Sequence, residues 1–170
     1  LRLIENIKKS TTIDKIVICT SHHPDDKILL QCANAWGVYS YAGDKYDVLS
    51  RFIGAGQQYK ADAVIRITGD NVLTDPVYID RMVKHQIRNG YDYIRTSGLP
   101  LGVTAEVYSL SNLIKLHRLL SDPNQSEYLI FFAFDPEKFN CGVIIADDKV
   151  NRPNYAITVD TQDDLELVRR

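Results

Sequence analysis

At 170 residues, 45% of them hydrophobic and 25% charged, the chain has the size and composition of one ordinary globular domain with a real core. A formal charge of -2, with acids and bases interspersed, excludes the basic excess that grips a nucleic-acid backbone. No apolar run approaches the roughly 20 residues of a membrane helix and the start lacks the basic-then-apolar layout of a signal peptide, so the expectation is a cytoplasmic protein with no membrane partner.

The chain opens on Leu1, already inside a helical pattern (Leu3, Ile4, Ile7), with no methionine or leading strand; a piece of a longer protein is expected. Residues 13–19, IDKIVIC, read as a strand. Pro24 opens a helix that carries Ile28, Leu29, Cys32 and Trp36 inward and stops at Gly37. VYSYA, residues 38–42, is a short strand, and a helix with Val48, Leu49, Phe52 and Ile53 on its apolar face follows. VIRITGD forms the third strand, with Val64, Ile65 and Ile67 buried and Asp70 where the chain leaves the sheet. Asp75 caps the next helix, about residues 76–89, with Pro76 in its first turn and Gly90 at its end.

YDYIRT is a fourth strand, after which the rhythm changes. GVTAEVYS, residues 102–109, alternates as an edge or antiparallel strand does. Ser111 caps a helix holding Leu113, Ile114 and Leu116, and EYLIFFAF is a deeply buried helical segment. CGVIIA and NYAITVD are two more strands, and Thr161 with Asp164 resembles a capping box for the last helix. Repeated strand-helix units predict an α/β fold: a mostly parallel, doubly wound sheet with an antiparallel excursion, in a single domain spanning residues 1–170. Cys19, Cys32 and Cys141 follow no metal-ligand spacing and read as buried free thiols.

Ligands of open α/β sheets bind beyond the carboxyl ends of strands. The residues there are Thr20 to His23, Gly43 to Asp47, Thr68 to Asn71, Thr96 to Gly102, and Asp160. Asp70 and Asp160 are carboxylates directly at strand ends, and on neighbouring strands both reach one hard cation while leaving it sites for phosphates and water. Gly69 lets a ligand or another backbone approach Asp70. The plainer alternative is that Asp70 terminates a turn and Asp160 complements a helix dipole; spacing alone favours that alternative. Arg51 can bind a phosphate or carboxylate, or pair with Asp47 at i,i+4. His22 and His23 read as a solvated loop pair, and His85 and His117 as helix-surface residues. The phosphate loop, the dinucleotide fingerprint and the nucleophile elbow are all absent.

GDKYDVLSRF, VIRITGDNVLTDP, GVTAEVYS and ITVDTQDDLELVR occur in the order seen in cytidylyltransferase-type proteins of spore-coat and surface-polysaccharide synthesis. These are relatives of the acylneuraminate and deoxy-manno-octulosonate cytidylyltransferases, and the chain resembles that family over essentially its whole length. The resemblance reverses the preference at Asp70 and Asp160. It implies a nucleotide-diphospho-sugar-transferase-like fold and transfer of CMP from CTP to an acidic sugar. By motif, Asp70 and Asp160 would hold Mg2+; Arg51, Asp47 and Gly69 would serve the nucleotide, and Gly102 and Glu106 the sugar. A homodimer through the antiparallel excursion is also implied.

The family's opening strand and triphosphate loop have no match in residues 1–20, so the domain is expected to lack them. Its P-D-G-x-D-V-E segment appears as Pro100 to Glu106, and its R-E-H-V-T-P segment as Ser126 to Phe131. Two other readings stay open: a glycosyltransferase using a nucleotide-sugar donor, and a non-catalytic relative that binds a sugar or a partner protein.

Overall fold

A computed structural model describes residues 1–120, 122 and 133–169. The helix expected over EYLIFFAF and the Ser126 to Phe131 segment lie almost wholly outside the described residues. In chain order the elements are α1 (Arg2–Ile7), β1 (Val17–Ser21), a 3-10 turn (Pro24–Asp26), α2 (Lys27–Ala35), β2 (Tyr39–Gly43), α3 (Val48–Gln58) and β3 (Ala63–Arg66). They continue with α4 (Pro76–Asn89), β4 (Tyr93–Ser97), β5 (Glu106–Ser109), α5 (Leu110–Leu119), β6 (Cys141–Ile145) and α6 (Gln162–Arg169). The described residues form two compact units: Leu1–Ile13, Ile65–Val107 and Gly142–Arg170 make the first, and Asp14–Val64 with Tyr108–Cys141 the second. Among the described residues no helix is long and apolar enough to cross a membrane.

In the second unit β1 and β2 pair in parallel, from Val17 opposite Tyr39 to Ser21 opposite Gly43. A parallel pair needs a crossover, and α2 supplies it, packed on both strands. Its inward residue is Ala33, whereas Ile28 and Leu29 are 58% and 39% exposed. The expected inward face is therefore rotated. The proline opens a 3-10 turn of tighter pitch, and the α-helix starts only at Lys27. Asp47 caps α3, its carboxylate accepting from the Ser50 amide at 2.8 Å, and α3 buries Leu49 while packing on β1, β2 and α5. The cap of α5 is Ser109 and not Ser111, because the Ser109 hydroxyl accepts the Asn112 amide at 3.1 Å. All three cysteines are free and half-buried, and burial raises the Cys19 thiol to about 11.

In the first unit α4 begins as its sequence requires. The Asp75 carboxylate accepts the Val77 amide at 2.8 Å, Pro76 fills the first turn, and Gly90 ends the helix in the left-handed region at φ +66. Its inner face buries Tyr78, Ile79, Met82 and Val83, and it packs on β4. The associated sheet has the strand order β3-β5-β4-β6. The capping box of α6 is present: the Thr161 amide donates to Asp164 Oδ2 at 2.8 Å and the Asp164 amide to Thr161 Oγ1 at 3.2 Å.

Three expected strands are shorter than the pattern suggests. β3 ends at Arg66, so Asp70 stands in a turn beyond it; β5 covers only Glu106–Ser109; and NYAITVD forms a single parallel bridge, Leu101 to Ala156. Gly102 accounts for the last two. It is buried with φ +100, and a Cβ there would lie 2.6 Å from the Ile157 carbonyl carbon, so the backbone turns away immediately after the bridge.

The outer side of α4 carries a second anchor. Asp80 accepts the Thr11 hydroxyl at 2.6 Å, the Thr12 hydroxyl at 2.8 Å and the Thr11 amide at 3.0 Å, with the Ser10 hydroxyl as a further donor. Burial pushes this carboxyl upward, but these donors outweigh it and hold it well below the usual carboxylate range. A depressed folded value stabilises the fold above the unfolded value near 3.9 and ceases to do so as pH falls through the folded one. Asp80→Asn is therefore expected to lower unfolding stability by about 1–3 kcal/mol in a neutral denaturant titration. The gap between wild type and variant should close only below about pH 4. Gly102→Ala should cost about 2 kcal/mol or more in the same assay, from strain at positive φ and the clash with Ile157.

Candidate active site

Beyond β3 the chain makes a tight turn built from its own amides. Asn71 donates its amide to the Thr68 carbonyl at 3.1 Å and Val72 to the Asp70 carbonyl at 2.9 Å, while the Thr74 hydroxyl donates to the Asn71 carbonyl at 2.7 Å. Asn71 and Thr74 are buried at 9% and 0% exposure. The Asn71 side-chain amide donates to the Thr104 carbonyl at 3.3 Å and the Asp75 amide to the Val103 carbonyl at 3.0 Å, which tie the turn to the loop after Gly102.

That loop is tied in turn to the segment before α6. The Leu101 amide donates to the Tyr155 carbonyl at 2.9 Å and the Ile157 amide to the Leu101 carbonyl at 2.8 Å. The Val159 amide then donates to the Asp70 carbonyl at 3.0 Å. The main chain of Asp70 thus touches the residue immediately before Asp160. The two carboxylates singled out by their spacing stand on adjoining backbone segments, although neither ends a regular strand.

Their side chains differ. Asp160 is exposed, and its Oδ2 accepts the Thr158 hydroxyl at 2.6 Å. Asp70 is half-buried, and among the described residues no hydrogen bond or ion pair engages its carboxylate. A Cβ on Gly69 would meet nothing within 4 Å, so the surface beside Asp70 is open. No group of three or more metal-ligating side chains occurs among the described residues. Two carboxylates in this setting suit a hard cation that completes its shell with water and phosphate oxygens, the habit of Mg2+, and fit poorly with an all-protein metal cage.

Gly102 and Glu106, expected on the sugar side, belong to the same unit. Gly102 packs on the backbone of Ile157 and Thr158. Glu106 is engaged at both oxygens: Arg66 Nη1 donates to Oε2 at 2.9 Å and the Tyr93 hydroxyl to Oε1 at 3.0 Å. Sequence reasoning passed over Arg66, Tyr93 and Thr158. Thr158 carries a local signal, a hydroxyl two residues before an aspartate; Tyr93 carries none, being one more apolar strand position.

The second unit holds Asp47 and Arg51. The i,i+4 pair with Asp47 is not made: Arg51 Nη1 donates instead to the Asp44 and Lys45 carbonyls at 2.7 and 2.8 Å. The Asp44 carboxylate accepts the Tyr46 and Asp47 amides at 2.7 and 2.9 Å; those two amides, that of Asp47 first, hold its pKa below the ordinary value. Asp47 caps α3 with Oδ1 while its Oδ2 lies 2.7 Å from His117 Nε2. His117 is half-buried, not a free helix-surface residue as its spacing suggests, because α3 and α5 pack together. His85 and His22 are exposed, and the His22 amide donates to the Gly43 carbonyl at 3.0 Å. The result is a self-bonded loop, Gly43 to Asp47, whose shape is set by Arg51 and two aspartates.

Comparison with known proteins meets this geometry. The cytidylyltransferase family model matches residues 1–148. The chain is 30% identical over 158 residues to the spore coat polysaccharide biosynthesis protein SpsF of Bacillus subtilis, covering 92% of this chain and 66% of that protein. A solved cytidylyltransferase structure from Leptospira borgpetersenii superposes with a TM-score of 0.90 at 25% identity, over 99% of this chain and 72% of that one. CMP:2-keto-3-deoxy-manno-octonic acid synthetase, solved in complex with CTP, superposes with a TM-score of 0.71 at 13% identity over 99% and 84% of the respective chains. The chain spans about two thirds of SpsF's length. On the family match over most of its residues, this chain belongs to the cytidylyltransferase family.

Proposed function

We propose that the protein is a nucleotidyltransferase that transfers CMP from CTP to an acidic sugar of surface-polysaccharide biosynthesis, with Mg2+ as its metal. A sugar hydroxyl gives up its proton to water as its oxygen bonds the α-phosphorus, the bond from that phosphorus to the oxygen bridging to the β-phosphate breaks, and pyrophosphate leaves. The observation that carries the reading is the hydrogen bond from the Val159 amide to the Asp70 carbonyl. It sets the segments of two aspartates side by side, one of them with no partner for its carboxylate among the described residues.

Asp70 and Asp160 would hold the metal, which supplies compensation for charge on the phosphate oxygens. Thr158 orients the Asp160 carboxylate, and open space at Gly69 admits the nucleotide. Arg51 contributes indirectly: with its guanidinium on main-chain carbonyls, it shapes the Gly43 to Asp47 loop proposed for the nucleotide side, and Asp47 anchors that loop to α3. Gly102 sets the path of the Thr158 to Asp160 segment.

Calorimetric titration of CTP with and without Mg2+ tests the reading. Binding that requires the metal is expected in wild type. It should disappear in Asp70→Asn and weaken at least tenfold, about 1.4 kcal/mol, in Asp160→Asn. Because the Asp70 carboxylate makes no described contact, Asp70→Asn should melt within about 3 °C of wild type. A folded wild-type protein that binds CTP equally with and without Mg2+, or not at all, would refute the assignment.

A further inference from the structure

Arg66 closes β3 at the end from which the chain turns toward Asp70. Among the described residues, the strands carry one other basic residue, Arg95. The Arg66 side chain is 22% exposed and that of its partner Glu106 is 12% exposed, while Tyr93, which donates to the other Glu106 oxygen, is fully buried. An ion pair this far from water contributes little net stability, because desolvation offsets most of the Coulombic gain. Stability therefore gives little reason for a cation at the mouth of a sheet.

Its donor count gives a better one. A guanidinium presents five N–H groups in a rigid planar fork. Among the described residues Glu106 is the one hydrogen-bond or ion-pair partner of that fork, through Nη1. The other N–H groups sit on a side chain that keeps partial exposure at the carboxyl end of a strand, where ligands of α/β sheets bind. Tyr93 fixes Glu106, and Glu106 fixes the plane of the fork and neutralises it until another anion arrives.

We propose, resting on the cytidylyltransferase reading, that Arg66 is an oxyanion receptor for the substrate, its guanidinium held by Glu106 and Tyr93 so that the unused edge meets a phosphate or carboxylate oxygen. Both groups offer paired oxygens that match the fork. Glu106 is then a positioning residue acting through Arg66, which differs from the direct sugar contact that the family resemblance implies.

The test titrates three probes into wild type by calorimetry: CTP with Mg2+, inorganic pyrophosphate, and 2-keto-3-deoxy-manno-octonate. The same titrations are made on Arg66→Gln, Arg66→Lys, Glu106→Gln and the double variant Arg66→Gln/Glu106→Gln. The double variant removes both charges and keeps a hydrogen-bonding pair, so its melting temperature should stay near that of wild type. Affinity for at least one probe is expected to fall tenfold or more in Arg66→Gln and in the double variant. Arg66→Lys, which keeps the charge without the fork, should recover only part of it, and Glu106→Gln should lose less than Arg66→Gln. A loss seen with CTP and pyrophosphate identifies a phosphate; a loss confined to the sugar acid identifies a carboxylate. Unchanged affinity in every Arg66 variant, for every probe that wild type binds, overturns this inference and leaves the functional reading standing. A folded wild type that binds none of the probes overturns both.

Discussion

The amide of Val159 donates to the carbonyl of Asp70, and the candidate site depends on that contact more than on any other. A main-chain hydrogen bond sets where two backbones lie without consuming a side chain, so the Asp70 carboxylate keeps no partner among the described residues and that of Asp160 meets only Thr158. The bond is possible because the neighbouring loop comes equally close. Gly102, at φ +100 with no room for a Cβ, lets Leu101 pair with the segment around Ala156, and that pairing delivers Val159 to the turn. Asn71 and Thr74, both buried, hold the turn from the other side. Polar groups buried in this way are stabilising only when satisfied, so the turn is rigid for the same reason that its buried amide and hydroxyl have partners.

The loop of the second unit follows the same economy with different means. Asp44 and Asp47 accept main-chain amides at the start of α3, and Arg51 donates from Nη1 to two carbonyls. Each charged group meets a main-chain dipole of opposite sense, so the loop is shaped without a core of its own. Arg66 differs in kind. Its partner among the described residues is the Glu106 carboxylate and not a main-chain carbonyl, so charge meets charge there.

Local chemistry was readable wherever one short stretch contains the whole interaction. Asp75, Pro76 and Gly90 bound α4 because a cap, a preset φ and a left-handed residue act within one turn. Thr161 and Asp164 form their box for the same reason. The motif order carried the family, and the position of Asp70 and Asp160 after apolar runs singled out two aspartates whose backbone segments adjoin. Readings that depended on phase or on distant partners fared differently. A 3-10 turn rotated α2 and left Ile28 and Leu29 exposed, the cap of α5 moved from Ser111 to Ser109, and the strand expected over NYAITVD shrank to a bridge because its neighbour turns at Gly102.

By itself the sequence determined most of the alternation of strands and helices, the caps of α4 and α6, the three free cysteines and the two aspartates worth suspecting, since each is a matter of propensity, spacing or motif over a few residues. Tertiary structure alone decided that Val159 meets Asp70, that His117 meets Asp47, that Arg51 turns to carbonyls, and that Glu106 faces Arg66 and Tyr93. Those pairings join residues far apart in the chain. Hydrogen-bond partners are settled by whichever donor and acceptor the packed backbones bring within about 3 Å, a distance that no linear pattern encodes.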